Sequence, residues 1–128
     1  MPNNKGMDWI RLHKRMAIYL RDGFDCVWCR MVFPLDVNGY GLTLDHVYVD
    51  GCNENYNLVT CCLRCNSSRR RTSLKDWVEK VSERTGEAAQ DISHRVLVAL
   101  GEPLDLEEGR RLAQVRRPPK TLAVAQVS

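Results

Sequence analysis

The sequence contains two pairs of cysteines with the Cys-x-x-Cys spacing that allows two sulfurs to reach one metal ion. The first pair is Cys26 and Cys29, and the second is Cys62 and Cys65. Four thiolates complete the tetrahedral shell that Zn²⁺ prefers, and a shell filled by protein ligands has no open position for a substrate or water. We therefore predict a structural zinc site that holds the fold and takes no part in chemistry.

Two further cysteines, Cys52 and Cys61, stand outside these pairs. Cys61 is an alternative ligand, but its spacing to Cys65 is longer by one residue, which favours Cys62 as the ligand. We expect both spare thiols to be small buried apolar residues. The chain shows no leader segment, and the reducing cytosol disfavours a disulfide framework, so the cysteines indicate metal binding.

Between the cysteine pairs lie side chains that suit phosphodiester hydrolysis. This reaction needs an activated water, stabilisation of charge on the phosphoryl oxygens and help for the leaving alkoxide. A neutral imidazole such as His46 suits the first task, and a hard divalent cation with oxygen ligands suits the other two. Asp45 offers a carboxylate beside His46. Because strand neighbours point to opposite faces, this pair needs a bulge or a strand end to converge.

Three segments together resemble the HNH endonuclease family in its four-cysteine, zinc-bound form. They are Leu44-Asp45-His46-Val47, Asn57-Leu58-Val59-Thr60 and Cys62-Leu63-Arg64-Cys65-Asn66. The resemblance spans roughly residues 15 to 70 and includes Arg21-Asp22-Gly23.

This resemblance implies a ββα-metal fold and a role for each motif residue. His46 would be the general base, Asp45 a ligand of a catalytic Mg²⁺ or Mn²⁺ ion, and Asn57 an orienting residue. Asn66 would be the second protein ligand, where many family members have histidine. An amide oxygen also suits Mg²⁺ better than zinc.

The elements that must position these residues can be predicted from apolar periodicity. A helical stripe runs from Asp8 to Arg21 and ends at Gly23. Leu42 to Val49 alternate like a strand, and the Asn38-Gly39 turn signal predicts a twisted β-hairpin in this region.

Helices are predicted for most of the remaining chain. Ser73 begins one as part of a capping box, and this helix ends near Gly86. A second helix ends at Gly101, and a third, from about Leu106 to Val115, is interrupted by Gly109. The predicted class is α+β. The predicted division is an HNH nuclease domain (1–104, with its motif core at 21–72 and supporting helices at 7–22 and 74–100) and a basic C-terminal helix and tail (105–128).

The predicted partner is DNA, on the basis of the arginines that surround the second cysteine pair. On a helix they would fan around its first turns and contact phosphates, which positions DNA without specifying its sequence. These residues are Arg64, Arg69, Arg70 and Arg71. For the basic residues near both ends, DNA binding and ordinary helix surface both stay open. The histidines His13 and His94 are interpreted as ordinary helix residues.

No apolar stretch is long enough for a membrane span, and a cytoplasmic, bacterial or phage-encoded protein is expected. The choice between nicking and double-strand cutting stays open, as does the presence of a homodimer or a partner protein.

The competing hypothesis is a non-catalytic zinc-ribbon module that binds nucleic acid. In that case Asp45 and His46 are a strand-end pair, and Asn57 and Asn66 are turn and cap residues.

Overall fold

The computed structural model describes residues 10–31 and 41–116 of the chain. Within these ranges, helices surround a small antiparallel sheet, which confirms the predicted α+β class. The elements are α1 (Leu12–Arg21), β1 (Leu42–His46), a 3₁₀ turn (Asn55–Asn57), β2 (Leu58–Cys62), α2 (Leu63–Arg69), α3 (Leu74–Thr85), α4 (Ala89–Gly101) and α5 (Leu106–Arg116). None of the helices in the described ranges has the length and apolar character needed to cross a membrane.

The sheet consists of β1 and β2, with Leu42 opposite Cys62 and His46 opposite Leu58. Helix α2 begins at the residue after β2, so two antiparallel strands lead directly into a helix. The turn of the predicted hairpin, at Asn38-Gly39, lies among residues 32–40, which are outside the described ranges. In the described part, the partner of β1 is β2, and residues 47–57 connect them.

Helix ends follow local sequence signals. The Oγ atom of Ser73 accepts a hydrogen bond from the backbone N–H of Asp76 at 3.3 Å, as the predicted capping box requires. Gly86 ends α3 and Gly23 follows α1, both in the left-handed conformation with φ of 82° and 74°. The predicted start at Asp8 lies outside the described residues, and within them α1 begins only at Leu12, with Arg11 as its N-cap.

One apolar core joins the helices to the sheet and to the first cysteine pair. Trp28 and Trp77 are both fully buried within it. Their ring centroids lie 6.2 Å apart at an interplanar angle of 82°, an edge-to-face contact. Because Trp28 lies between the first two cysteines and Trp77 lies in α3, this contact packs α3 against the metal-binding turn.

Helix α5 packs against α1 at Gly109. A Cβ atom at this buried glycine would lie 2.4 Å from the carbonyl oxygen of His13 and 2.9 Å from Cβ of Ala17. The absence of a side chain therefore allows the two helices to approach closely. The predicted interruption at Gly109 is wrong, because α5 continues through this residue from Leu106 to Arg116.

Replacement of Gly109 by alanine is expected to lower the free energy of unfolding by about 1–3 kcal/mol, the usual cost of overpacking a close contact. This loss of stability is expected although alanine is a better helix former than glycine. The matched control is Gly101→Ala, because a Cβ atom at Gly101 meets nothing within 4 Å. Urea denaturation of both variants is the measurement. Equal stability of the two variants would contradict the close contact between α1 and α5.

Candidate metal centre and catalytic site

The four cysteines of the two Cys-x-x-Cys pairs form one cluster, as predicted. Their sulfurs all lie within 4.8 Å of one another. The Sγ atoms of Cys29 and Cys62 are 3.9 Å apart. Sulfurs at the corners of a tetrahedron around Zn²⁺, with bonds of about 2.3 Å, lie about 3.8 Å apart. The cluster therefore has the dimensions to hold one zinc ion.

Each cysteine pair is fixed by local backbone structure. In the first pair, the N–H of Arg30 donates to the carbonyl of Cys26 at 2.7 Å, and Arg30 takes a left-handed φ of 63°. In the second pair, Cys62 is the N-cap of α2, and its Sγ atom accepts a hydrogen bond from the N–H of Cys65 at 3.3 Å. The sheet and α2 thus place the second pair at the junction between them.

The cysteines of the cluster shift one another's pKa values. Hydrogen bonds from the neighbouring cysteines Cys61, Cys62 and Cys65 lower the pKa of Cys26. Hydrogen bonding to Cys26 is the largest cause that raises the pKa of Cys62 to about 11, and it also raises the pKa of Cys65. A bound Zn²⁺ would allow all four to ionise, with release of protons.

The two spare cysteines differ in position. Cys61 is buried as expected, and its thiol donates to the carbonyl of Cys62 at 3.3 Å. Hydrogen bonding to Cys26 and burial raise the pKa of Cys61 well above its ordinary value, so it stays a neutral thiol. Cys52 is exposed, so its predicted burial is wrong. It lies in the connection between the strands, which passes over the surface.

Asp45 lies one residue before the end of β1, with 10% of its side chain exposed. The indole N–H of Trp28 donates to its Oδ2 atom at 3.0 Å, and Arg69 donates to the same oxygen at 2.8 Å. Burial raises the pKa of Asp45, and the charge and hydrogen bonds of Arg69 and Trp28 offset part of this rise. Among the described residues, both of these donors bond to Oδ2 rather than to Oδ1.

Arg69 is the last residue of α2, and only 1% of it is exposed. It donates to the carbonyl oxygens of His46 and Val47 at 2.7 Å and of Thr72 at 3.0 Å, in addition to its ion pair with Asp45. Its position differs from the prediction that it contacts phosphate, because these partners inside the protein occupy the guanidinium group. Arg69 instead ties the end of α2 to the end of β1.

Replacement of Arg69 by methionine is expected to lower the free energy of unfolding by about 3–5 kcal/mol, because it leaves the buried Asp45 without its charge partner. The control is Arg70→Met, at an exposed neighbour, which should change stability by less than about 0.5 kcal/mol. Urea denaturation of the zinc-loaded variants measures both values. If Arg69→Met is as stable as Arg70→Met, the ion pair does not hold these elements together.

His46 is half-buried at the last position of β1. Its Nε2 atom lies 2.6 Å from Oδ1 of Asn53. With the amide oxygen as acceptor, Nε2 of His46 is the donor of this hydrogen bond. Asp45 and His46 lie at the end of β1, the kind of position at which the sequence expected the pair to converge, and Asn53 orients the imidazole.

Asn57 is buried and holds the connection between the strands. Its Oδ1 atom accepts from the N–H of Tyr48 at 2.9 Å, and its Nδ2 atom donates to the carbonyls of Tyr48 and Cys52 at 3.1 and 3.0 Å. Its own carbonyl accepts from the N–H of Val47 at 2.9 Å. These hydrogen bonds fix the backbone that follows His46.

Asn66 is exposed on α2, directly after Cys65. Within the described ranges, the four-cysteine cluster is the only group of three or more His, Cys, Asp or Glu side chains that could hold a metal. A second metal site at Asp45 and Asn66 would have two protein ligands and would rely on water and substrate for the others. It stays a prediction.

The other three arginines of the predicted DNA contact face solvent: Arg64, Arg70 and Arg71. Arg70 and Arg71 follow the end of α2 rather than fanning around its first turns. Arg71 forms an exposed ion pair with Asp50. A phosphate could replace this partner, since exposed ion pairs contribute little to stability.

Several residues that the sequence did not single out help to build the site. Arg95 of α4 donates to the carbonyls of Val27 and Trp28 at 2.7 and 3.0 Å, and it pairs with Glu87 at 2.6 Å. Trp28 forms a hydrogen bond with Asp45, and Asn53 forms one with His46. The position of Trp28 between two cysteines was a signal for its role, whereas nothing local marks Arg95.

Comparison of the chain with protein-family models, with curated proteins and with solved structures finds no match, so the site is interpreted from its own geometry.

Proposed function

We propose that this chain is a metal-dependent endonuclease of the HNH type that hydrolyses DNA phosphodiester bonds. The observation that supports this most is the position of His46. It lies at a strand end next to Asp45, its ring is oriented by Asn53 at 2.6 Å, and the strand pair leads directly into the helix that carries Asn66. The four-cysteine cluster fixes the start of that helix.

In this proposal the side chains divide the reaction between them. His46 accepts a proton from the attacking water as the general base, with its ring oriented by Asn53. Asp45 offers Oδ1 to a cation, since Trp28 and Arg69 hold Oδ2. Asn66 offers an amide oxygen from α2. A Mg²⁺ or Mn²⁺ ion bound by Asp45 and Asn66 would supply charge stabilisation at the scissile phosphate.

The cysteine cluster has a separate task in this proposal. Its four thiolates would close the coordination shell of zinc, so the zinc stabilises the fold and binds no substrate. The exposed arginines Arg64, Arg70 and Arg71 would contact the phosphates that flank the cut.

The alternative is a zinc-binding module that binds nucleic acid without cutting it. The buried ion pair between Asp45 and Arg69 favours this reading, because it gives the carboxylate a structural role. Both functions predict DNA binding that weakens with salt. Only the nuclease predicts strand cleavage.

Incubation of the zinc-loaded chain with supercoiled plasmid separates the two functions. We expect cutting with Mg²⁺ or Mn²⁺ and none with EDTA, assayed in minutes so that zinc is retained. The order in which nicked and linear plasmid appear would distinguish a nickase from a double-strand cutter. A chain that retards DNA in a native gel but leaves plasmid intact with both ions would support the binding module and contradict the nuclease.

A further inference from the structure

Arg84, in the last turn of α3, reaches the metal cluster from outside the motif region. Its Nη2 atom lies 3.0 Å from Sγ of Cys65 and donates a hydrogen bond to it. Cys65 is fully buried, so this N–H donor reaches a sulfur that water does not. The guanidinium also lies over the ring of Trp77, with its Cζ atom 5.6 Å from the ring centroid.

The positively charged guanidinium group of Arg84 lies next to Sγ of Cys65. Among the described residues, no carboxylate lies within ion-pair distance of Arg84. Zinc with four thiolates carries a net negative charge, and an adjacent guanidinium offsets part of it. An N–H donor to a ligand sulfur also orients that sulfur and tunes its electron donation to the metal. Trp77 supports the cation by stacking.

We propose that Arg84 is a positioning residue for the zinc site, holding Cys65 and increasing the affinity of the cluster for zinc. Helix α3 is then part of the metal site, although it contributes no ligand. Because Trp77 also packs against Trp28 of the first cysteine turn, α3 contacts both halves of the cluster.

The test is zinc affinity, measured by competition with a chromophoric chelator on the full chain. R84M removes the charge and the donor but keeps an apolar stem over Trp77, and R84K keeps the charge. The control is K80A, which removes a positive charge from an exposed position on the same helix. We expect R84M to bind zinc about 10–100-fold more weakly than the wild type. K80A should match the wild type, and R84K should recover part of the loss.

Cobalt substitution provides a readout that a merely structural role would not change. In chains saturated with Co²⁺, loss of the hydrogen bond should shift the thiolate-to-cobalt charge-transfer band in R84M and leave it unchanged in K80A. Wild-type zinc affinity and an unshifted band in R84M would overturn the proposal. If R84M does not fold at saturating zinc, R84L, which also lacks the charge and the donor, is judged by the same two results. A wild-type chain that binds no zinc would overturn the metal site itself.

Discussion

Replacement of His46 by alanine is expected to reduce plasmid cutting by about 10²–10⁴-fold, the usual contribution of a positioned general base. The fold should survive, because His46 is half-buried at a strand end and its side chain bonds to the exposed Asn53. Initial rates of nicking at saturating Mg²⁺ measure the effect. Zinc content and the melting temperature should stay at the wild-type values.

The matched control is His94→Ala, which removes an exposed histidine from α4. This variant should cut at the wild-type rate. Equal cutting by His46→Ala and His94→Ala would show that His46 is not the base, and it would return Asp45 and His46 to a structural role at the strand end.

Replacement of Cys62 by serine, or removal of zinc with a strong chelator, is expected to unfold the chain. Binding of a structural zinc contributes on the order of 10–16 kcal/mol, which matches or exceeds the roughly 5–15 kcal/mol of net stability of an ordinary domain. Cys62 also caps α2 and ends β2, so its loss affects the sheet and the helix together. Circular dichroism and zinc quantification on the same samples measure both losses.

The control for this prediction is Cys52→Ser, because Cys52 is exposed and lies outside the cluster. Its zinc content and helical signal should equal those of the wild type. A Cys62→Ser chain that remains folded without zinc would remove the cluster as the support of the fold. Loss of zinc in Cys52→Ser would instead mean that the ligand set is different.

The cysteine cluster could be predicted from the sequence because Cys-x-x-Cys spacing acts locally. Two sulfurs three residues apart meet at one point in almost any turn, so only the joining of the two pairs depends on the fold. The caps at Ser73 and Gly86 were also predicted, since each depends on backbone within a few residues. Local chemistry determines local structure in these cases.

Arg69 shows what spacing alone cannot reveal. In the sequence it is one of three consecutive arginines, and nothing separates it from Arg70 and Arg71. In the fold, the end of α2 brings it beside Asp45, which is distant in the chain, and burial makes it structural. Gly109 and Arg95 are similar cases, because the helix and the turn that they contact are set by tertiary packing.

Manganese binding measured by electron paramagnetic resonance separates the two proposed metal sites most directly. Zinc-loaded wild-type chain should bind about one Mn²⁺ in an oxygen-rich site, without loss of zinc. Asn66→Ala should weaken this binding, and Asn66→Asp should retain it, while both keep their zinc. Wild-type Mn²⁺ affinity in Asn66→Ala, or displacement of zinc by Mn²⁺, would contradict a separate catalytic site at Asp45 and Asn66.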